Sequence, residues 1–229
     1  ITKYPAERPG LADLIVAAPR SSRWLLGLDL FPALTAAALP WSTTGVAILI
    51  AIWFVLLLPT LGLEFFRFLK RPACALPLAF FALALAGMLW SDDPLADRML
   101  GLAPVSKLLA IPFLIYHFRR SQRGHWVFIA FVASCALLMG LSWVTYFADW
   151  KVSANASPGV PVRNYIDQSH EFVLCLFLLA PLLVALIGKP QRTPALAVAI
   201  LMLGFYCSLI YVATARTVVI YVPVLLILF

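Results

Sequence analysis

The chain has 229 residues, of which 63% are hydrophobic and 12% are Asp, Glu, Lys or Arg. A soluble domain carries roughly twice that charged fraction, so composition excludes an ordinary cytosolic enzyme, a secreted disulfide scaffold and a disordered tail. The formal net charge of +7 is distributed along the chain as an orientation signal, which argues against nucleic acid as a partner.

A short apolar stretch at 11–18, followed by Pro19 and Arg20, reads as an interfacial or leading helix, because no small-residue cleavage site follows a proper apolar core. Apolar segments then fall near 24–40, 43–61, 73–90, 102–118, 126–147, 171–188 and 194–213, and a last one opens at about 216. Their unbroken runs, such as 46–58 and 172–187, are helical signals, whereas strands of a membrane barrel alternate apolar and polar residues. One span takes about 20 mostly apolar residues. The expected fold is therefore all-α: a polytopic membrane helical bundle with about eight transmembrane helices, forming a single domain over 1–229.

The connections sort by charge. Lys3, Arg8, Arg20 and Arg23 precede the first span; Arg67, Lys70 and Arg71 lie in the second connection, Arg119, Arg120 and Arg123 in the fourth, and Lys189 and Arg192 in the sixth. If the chain crosses at every segment, all of these fall on one side, which the excess of Lys and Arg marks as cytoplasmic. The N-terminus is thus expected inside. The outward connections are 91–98, with Asp92, Asp93 and Asp97, and the longer 148–170, with Pro158, Gly159 and Pro161. The start at Ile1 and the short final apolar run ending at Phe229 read as the N-terminal part of a longer chain, the alternative being a short interfacial hairpin.

Charges in costly positions supply the candidate functional residues. Asp29, about six residues into the first span, reads as an interior-facing functional charge, as one member of a buried pair, or as a group bonded to backbone loosened near Pro32. Lys107, between Pro104 and Pro112, either faces the interior or extends its stem toward the outer headgroups. Cys74, Cys135, Cys175 and Cys207 sit in different segments and read as small core hydrophobes. No metal-spaced histidine pair, phosphate-binding loop or nucleophile elbow is present, and no metal or cofactor is expected.

Arg163 opens a polar run through Glu171 that leads onto the sixth span, and within it His170 reads as a base or as a solvated or capping residue. Arg216 follows Thr214, a plausible N-cap, so it falls in the first turn of the last segment. An arginine there opposes the helix dipole unless a bound anion compensates both; the other reading is a pair with lipid phosphate. Guanidinium groups match phosphate oxygens in geometry and stay charged. Arg216, Arg163 and Lys107 are thus the candidates for one phosphate-rich group at the outer face. Asp93 before Pro94 reads as an ordinary helix start.

Trp90-Ser91-Asp92-Asp93-Pro94, then Gly101-Leu102 and Lys107-Leu108-Leu109, resemble the early region of the O-antigen ligase and polymerase superfamily of bacterial inner membranes. The later Ala213-Thr214-Ala215-Arg216-Thr217 is similar to that family's arginine signature, so the resemblance covers about 60–229. It implies a metal-independent, inverting glycosyltransferase without a cofactor, acting at the periplasmic face. The implied donor is a polysaccharide on undecaprenyl pyrophosphate and the implied acceptor is the lipid A core of lipopolysaccharide. It implies a catalytic, pyrophosphate-binding role for Arg216, with Arg163 and Lys107 as further pyrophosphate ligands. The family's general base is a histidine in a large outward loop later in the chain; no such loop occurs here, and the role does not pass to His170. A sister polymerase shares every visible feature, and a multi-pass transporter or flippase, using Asp29 and Lys107 as coupling charges, is the reading from a different class.

Overall fold

The computed structural model describes residues 22–150, 158–162, 164–188 and 192–212, and every regular element among them is helical. The helices are α1 (Ser22–Ala38), α2 (Thr43–Leu57), α3 (Leu63–Phe68), α4 (Pro72–Gly87), α5 (Leu95–Ser106), α6 (Ala110–Phe118), α7 (Gly124–Phe147), α8 (Tyr165–Ile187) and α9 (Arg192–Tyr211). Five helical stretches are long and apolar enough to cross a membrane: Thr43–Thr60, Leu95–Phe118, Gly124–Phe147, Tyr165–Ile187 and Arg192–Tyr211. They mark a membrane-embedded protein. No more than 33% of the 18-residue apolar window in any of these stretches is buried within the chain, so most of its apolar surface requires a non-aqueous neighbour. α4 is a shorter apolar helix. α1 has 17 residues and carries Arg23 and Asp29. The segment at 11–18 and the one opening at 216 lie outside the described residues.

Local chemistry sets the helix ends. Pro40 ends α1, since a residue before proline is pushed out of the helical region. Ser42 caps α2 by accepting from the Gly45 amide at 3.0 Å. Pro72 begins α4 at a position where its missing N–H costs nothing. The expected helix start at Asp93-Pro94 is found, with Pro94 as the N-cap and Leu95 as the first helical residue. Between α5 and α6 the chain tightens into a 3-10 turn, Lys107–Leu109. Pro112 has no N–H for the Leu108 carbonyl, which removes an α-helical bond at this point.

The chain divides into two compact units, one of residues 1–30 and 52–125, the other of residues 31–51 and 126–229. In the first, α4 packs on α5 and α6, and an aromatic cluster of Phe65, Phe68 and Tyr116 closes over Cys74. Phe65 stacks on Phe113 with ring centroids 4.8 Å apart and meets Tyr116 edge-on at 5.2 Å. The guanidinium groups of Arg71 and Arg119 each lie 5.1 Å from the Phe68 ring centroid. Basic residues that mark orientation in the sequence therefore also cover aromatic faces.

In the second unit α8 and α9 pack along one another. The core is an i, i+3, i+4 seam of Phe131, Cys135 and Leu138 on α7, Phe172, Cys175 and Leu179 on α8, and Phe205 and Leu209 on α9. The Phe172 and Phe205 rings sit 5.2 Å apart. All four cysteines are free, and Cys135 and Cys175 are buried in this core, as small core hydrophobes are. At the edge of the unit the Trp41 indole donates to the Ser134 hydroxyl at 2.7 Å, which in turn donates to the Ala37 carbonyl at 2.6 Å. That satisfies a carbonyl in the last turn of α1, where no helical partner exists.

In the first unit the Trp53 indole donates to the Leu28 carbonyl at 3.1 Å in a buried hydrogen bond. Leu28 is four residues before Pro32, the position whose N–H an α-helix would otherwise supply. Trp53→Phe should strand that carbonyl and lower stability by about 1–3 kcal/mol. The check is thermal unfolding in detergent, and an unchanged midpoint would remove this role from Trp53.

Candidate functional site

Asp29 is 1% exposed. Of the three readings open for it in the sequence, the structure shows the buried pair. Its Oδ1 lies 2.8 Å from His117 Nε2 and its Oδ2 accepts from Arg123 Nη1 at 3.1 Å. A carboxylate only accepts, so Nε2 carries the hydrogen of this bond. The imidazole is held edge-on by Trp53, with ring centroids 5.9 Å apart. Trp53 thereby fixes both the Leu28 carbonyl and the partner of the neighbouring carboxylate. Arg123 reaches Asp29 from a turn in which its own amide donates to Ser121 Oγ at 3.1 Å. Beside this cluster is a cavity of about 430 Å³, whose wall includes Asp29, Thr60, His117, Arg120, Ser121 and Arg123.

The motif at 90–94 builds a turn. Ser91 Oγ donates to Asp93 Oδ2 at 3.0 Å, and Arg98 donates to the carbonyls of Asp93 at 2.6 Å and Met88 at 3.0 Å. Arg98 therefore ties the end of α4 to the start of α5. It also joins Leu85, Met88, Leu89 and Leu95 in lining a mainly apolar cavity of about 480 Å³.

A polar layer occupies the second unit where α7 ends and α8 begins. The sequence places 148–170 in a loop, but α8 already starts at Tyr165. The cause is local: Asn164 caps the helix by accepting from the Ile166 amide at 2.9 Å, and Asp167 stands in the first turn, where the dipole favours it. Gln168 and Ser169 are consequently buried rather than solvated. His170 is an exposed helical residue, not a loop residue. The Ser142 hydroxyl and Gln168 Nε2 both donate to the Gly159 carbonyl, and Gln168 Nε2 also reaches Ser142 Oγ at 2.9 Å. Gln168 Oε1, Glu171 Oε2 and Ser208 Oγ are buried without a hydrogen-bond partner among the described residues. Unsatisfied polar atoms of this kind are where water or a ligand group finds partners.

Gly159 has φ +84°, and a Cβ placed on it would come within 2.2 Å of Val212 Cγ1. Only glycine fits this position, for conformation and for space. The segment before Arg163 and the residue before Ala213-Thr214-Ala215-Arg216 are thus in contact.

Arg163 and Arg216 themselves lie outside the described residues. Lys107 is exposed in the 3-10 turn and makes no hydrogen bond or ion pair among the described residues. Among those residues no group of three His, Cys, Asp or Glu is placed to hold a metal ion. Sequence reasoning missed His117, Ser142 and Gln168. The Asn164 N-cap was the readable signal for Gln168; nothing local pointed from Asp29 to a histidine 88 residues away.

Asp29→Ala should destabilise the protein by about 1–3 kcal/mol, since it leaves the buried His117 Nε2–H without its acceptor. Combining it with His117→Phe should cost less than the sum of the two, and strict additivity in denaturation would argue against the pairing. Gly159→Ala should lower stability by at least about 1–3 kcal/mol through backbone strain alone, read as a lower melting temperature in detergent. Comparison with protein-family models, with curated proteins and with solved structures yields no match.

Proposed function

We propose that the protein is a glycosyltransferase of the O-antigen ligase and polymerase superfamily, embedded in the bacterial inner membrane and acting at its periplasmic face. In this reading the chain has about eight spans and a cytoplasmic N-terminus. An acceptor hydroxyl on the lipid A core attacks the anomeric carbon of a polysaccharide held on undecaprenyl pyrophosphate. The glycosidic bond forms with inversion, and undecaprenyl pyrophosphate departs with the electron pair. Arg216 meets the charge that develops on the leaving diphosphate, with Arg163 beside it; Lys107 is a further ligand. Preorganised cationic donors at a developing charge are an effective means of lowering such a barrier, and arginine offers the planar fork that phosphate oxygens accept.

The observation that carries this reading is the contact between Gly159 and Val212. Arg163 and Arg216 each follow one of these positions by four residues, a reach of at most about 14 Å of extended chain. The hydrogen bonds from Ser142 and Gln168 to the Gly159 carbonyl hold one of the two stretches in place. The motif order in the sequence, from Trp90-Ser91-Asp92-Asp93-Pro94 to Ala213-Thr214-Ala215-Arg216-Thr217, supports it further. A sister enzyme that polymerises lipid-linked glycan repeats differs only in its acceptor.

The buried Asp29 and His117, with the partly exposed Arg123 paired to Asp29, favour a second reading, a multi-pass transporter or flippase, because ionisable groups inside a membrane commonly serve ion or substrate pathways. Ion-gradient-driven uptake in proteoliposomes, set against glycosyl transfer from a purified lipid-linked donor, separates the two. Under the transferase reading, Arg216→Ala lowers transfer by on the order of 100-fold or more while membrane insertion is unchanged, and Arg216→Lys restores little. Normal capping of lipopolysaccharide in a strain carrying only the alanine variant would overturn it.

A further inference from the structure

The cavity of about 430 Å³ in the first unit is not used by the transfer chemistry, and its volume falls in the ordinary range for small-molecule sites, about 300–1,000 Å³. Among the described residues its wall holds one carboxylate, Asp29, and two guanidinium groups, Arg120 and Arg123. Both oxygens of Asp29 are committed, one to His117 and one to Arg123. Arg120 has no such partner: its Nη1 donates to the Thr60 carbonyl and the Tyr116 hydroxyl, each at 3.2 Å, and its guanidinium lies 5.5 Å from the Tyr116 ring centroid. All three partners are neutral. Among the described residues no carboxylate lies within ion-pair distance of Arg120, and none accepts from its Nη2 or Nε hydrogens. The Ser121 hydroxyl accepts from the Arg123 amide and donates to no described group. Among the described residues the cavity therefore presents unspent donors and, at Arg120, a positive charge that no carboxylate meets.

The ligand that matches such a wall is compact, anionic and rich in acceptors. We propose that this cavity binds a phosphate group, with Arg120 as its main ligand, Ser121 beside it, and Arg123 held in place by Asp29. Tyr116 and Thr60 position the guanidinium from one side, leaving its remaining N–H groups for two phosphate oxygens. The phosphate is carried by an anionic lipid headgroup or is free in solution. In the topology proposed above, the connection with Arg119, Arg120 and Arg123 lies on the cytoplasmic side, opposite the transfer chemistry. That sidedness rests on the proposed topology; the site itself does not.

The test uses the purified protein stripped of lipid. Binding of inorganic phosphate is followed by calorimetry, and retention of phosphatidylglycerol over phosphatidylcholine by native mass spectrometry. Arg120→Gln should weaken binding by about ten-fold or more. Gln122→Glu, which adds a carboxylate to the cavity wall at a side chain that makes no hydrogen bond among the described residues, should weaken it as well. Arg67→Gln, on α3 and outside the cavity, should change nothing. Melting temperatures show that the variants fold, and Gln122→Glu decides the matter if Arg120→Gln does not. Binding of free phosphate identifies a soluble ligand, whereas retention of phosphatidylglycerol alone identifies a headgroup. The proposal is overturned if neither anion binds the unmodified protein, or if folded variants bind as tightly as it does. No glycosyl donor enters the assay, so its outcome is separate from that of the transfer reading.

Discussion

A carboxylate withdrawn from water has to be matched on both oxygens, and Asp29 sets this condition for the first unit. His117 meets one oxygen from the last turn of α6, and Arg123 meets the other from the turn that follows it. The two donors come from opposite sides of the basic stretch at 119–120, so the direction in which that stretch leaves α6 is fixed by the carboxylate. Trp53 completes the arrangement by packing on His117 and bonding to the Leu28 carbonyl. A charge and a proline, each unfavourable alone in an apolar helix, are thereby answered by side chains that contact one another.

The second unit follows another principle. Its seam of Phe, Leu and Cys is closed at one end by hydrogen bonds among neutral polar groups, Ser142, Gln168 and the Gly159 carbonyl. Neutral groups carry a far smaller desolvation cost than charges, and the bonds they form are directional. A seam of apolar side chains tolerates sliding by a helical turn, but a hydrogen bond to one carbonyl does not. The polar layer thus fixes the register of α8 against α7 and the chain segment that returns past Gly159.

Much of the architecture is legible in the sequence because length and apolar content are local properties. The runs near 43–61, 126–147 and 194–213 correspond closely to helices. The cost of Asp29 was also legible, since a lone acid in an apolar run is conspicuous whatever surrounds it. Its partners were not, because pairing is a property of the fold: His117 sits in an aromatic context that reads as the end of a span. α3 was read only as a charged connection, although its Glu64 and Arg67 stand where a helix dipole favours them. The polar run after Arg163 was assigned to solvent because polar residues usually are; the Asn164 cap, acting over two residues, turns it into a helix with a buried face.

The distance along the chain between Asp29 and its partners also has a meaning in time. Trp53 is 25 residues beyond Leu28, but His117 is 88 beyond Asp29. At synthesis rates of roughly 5–20 residues per second, the carbonyl finds its donor within roughly one to five seconds, and the carboxylate waits roughly four to eighteen. During that interval α1 holds an acid that has met neither of its described partners, which favours a location near water over an apolar one. Among the described helices α1 is thus made early but settles late, and the arrival of α6 sets the moment at which it does.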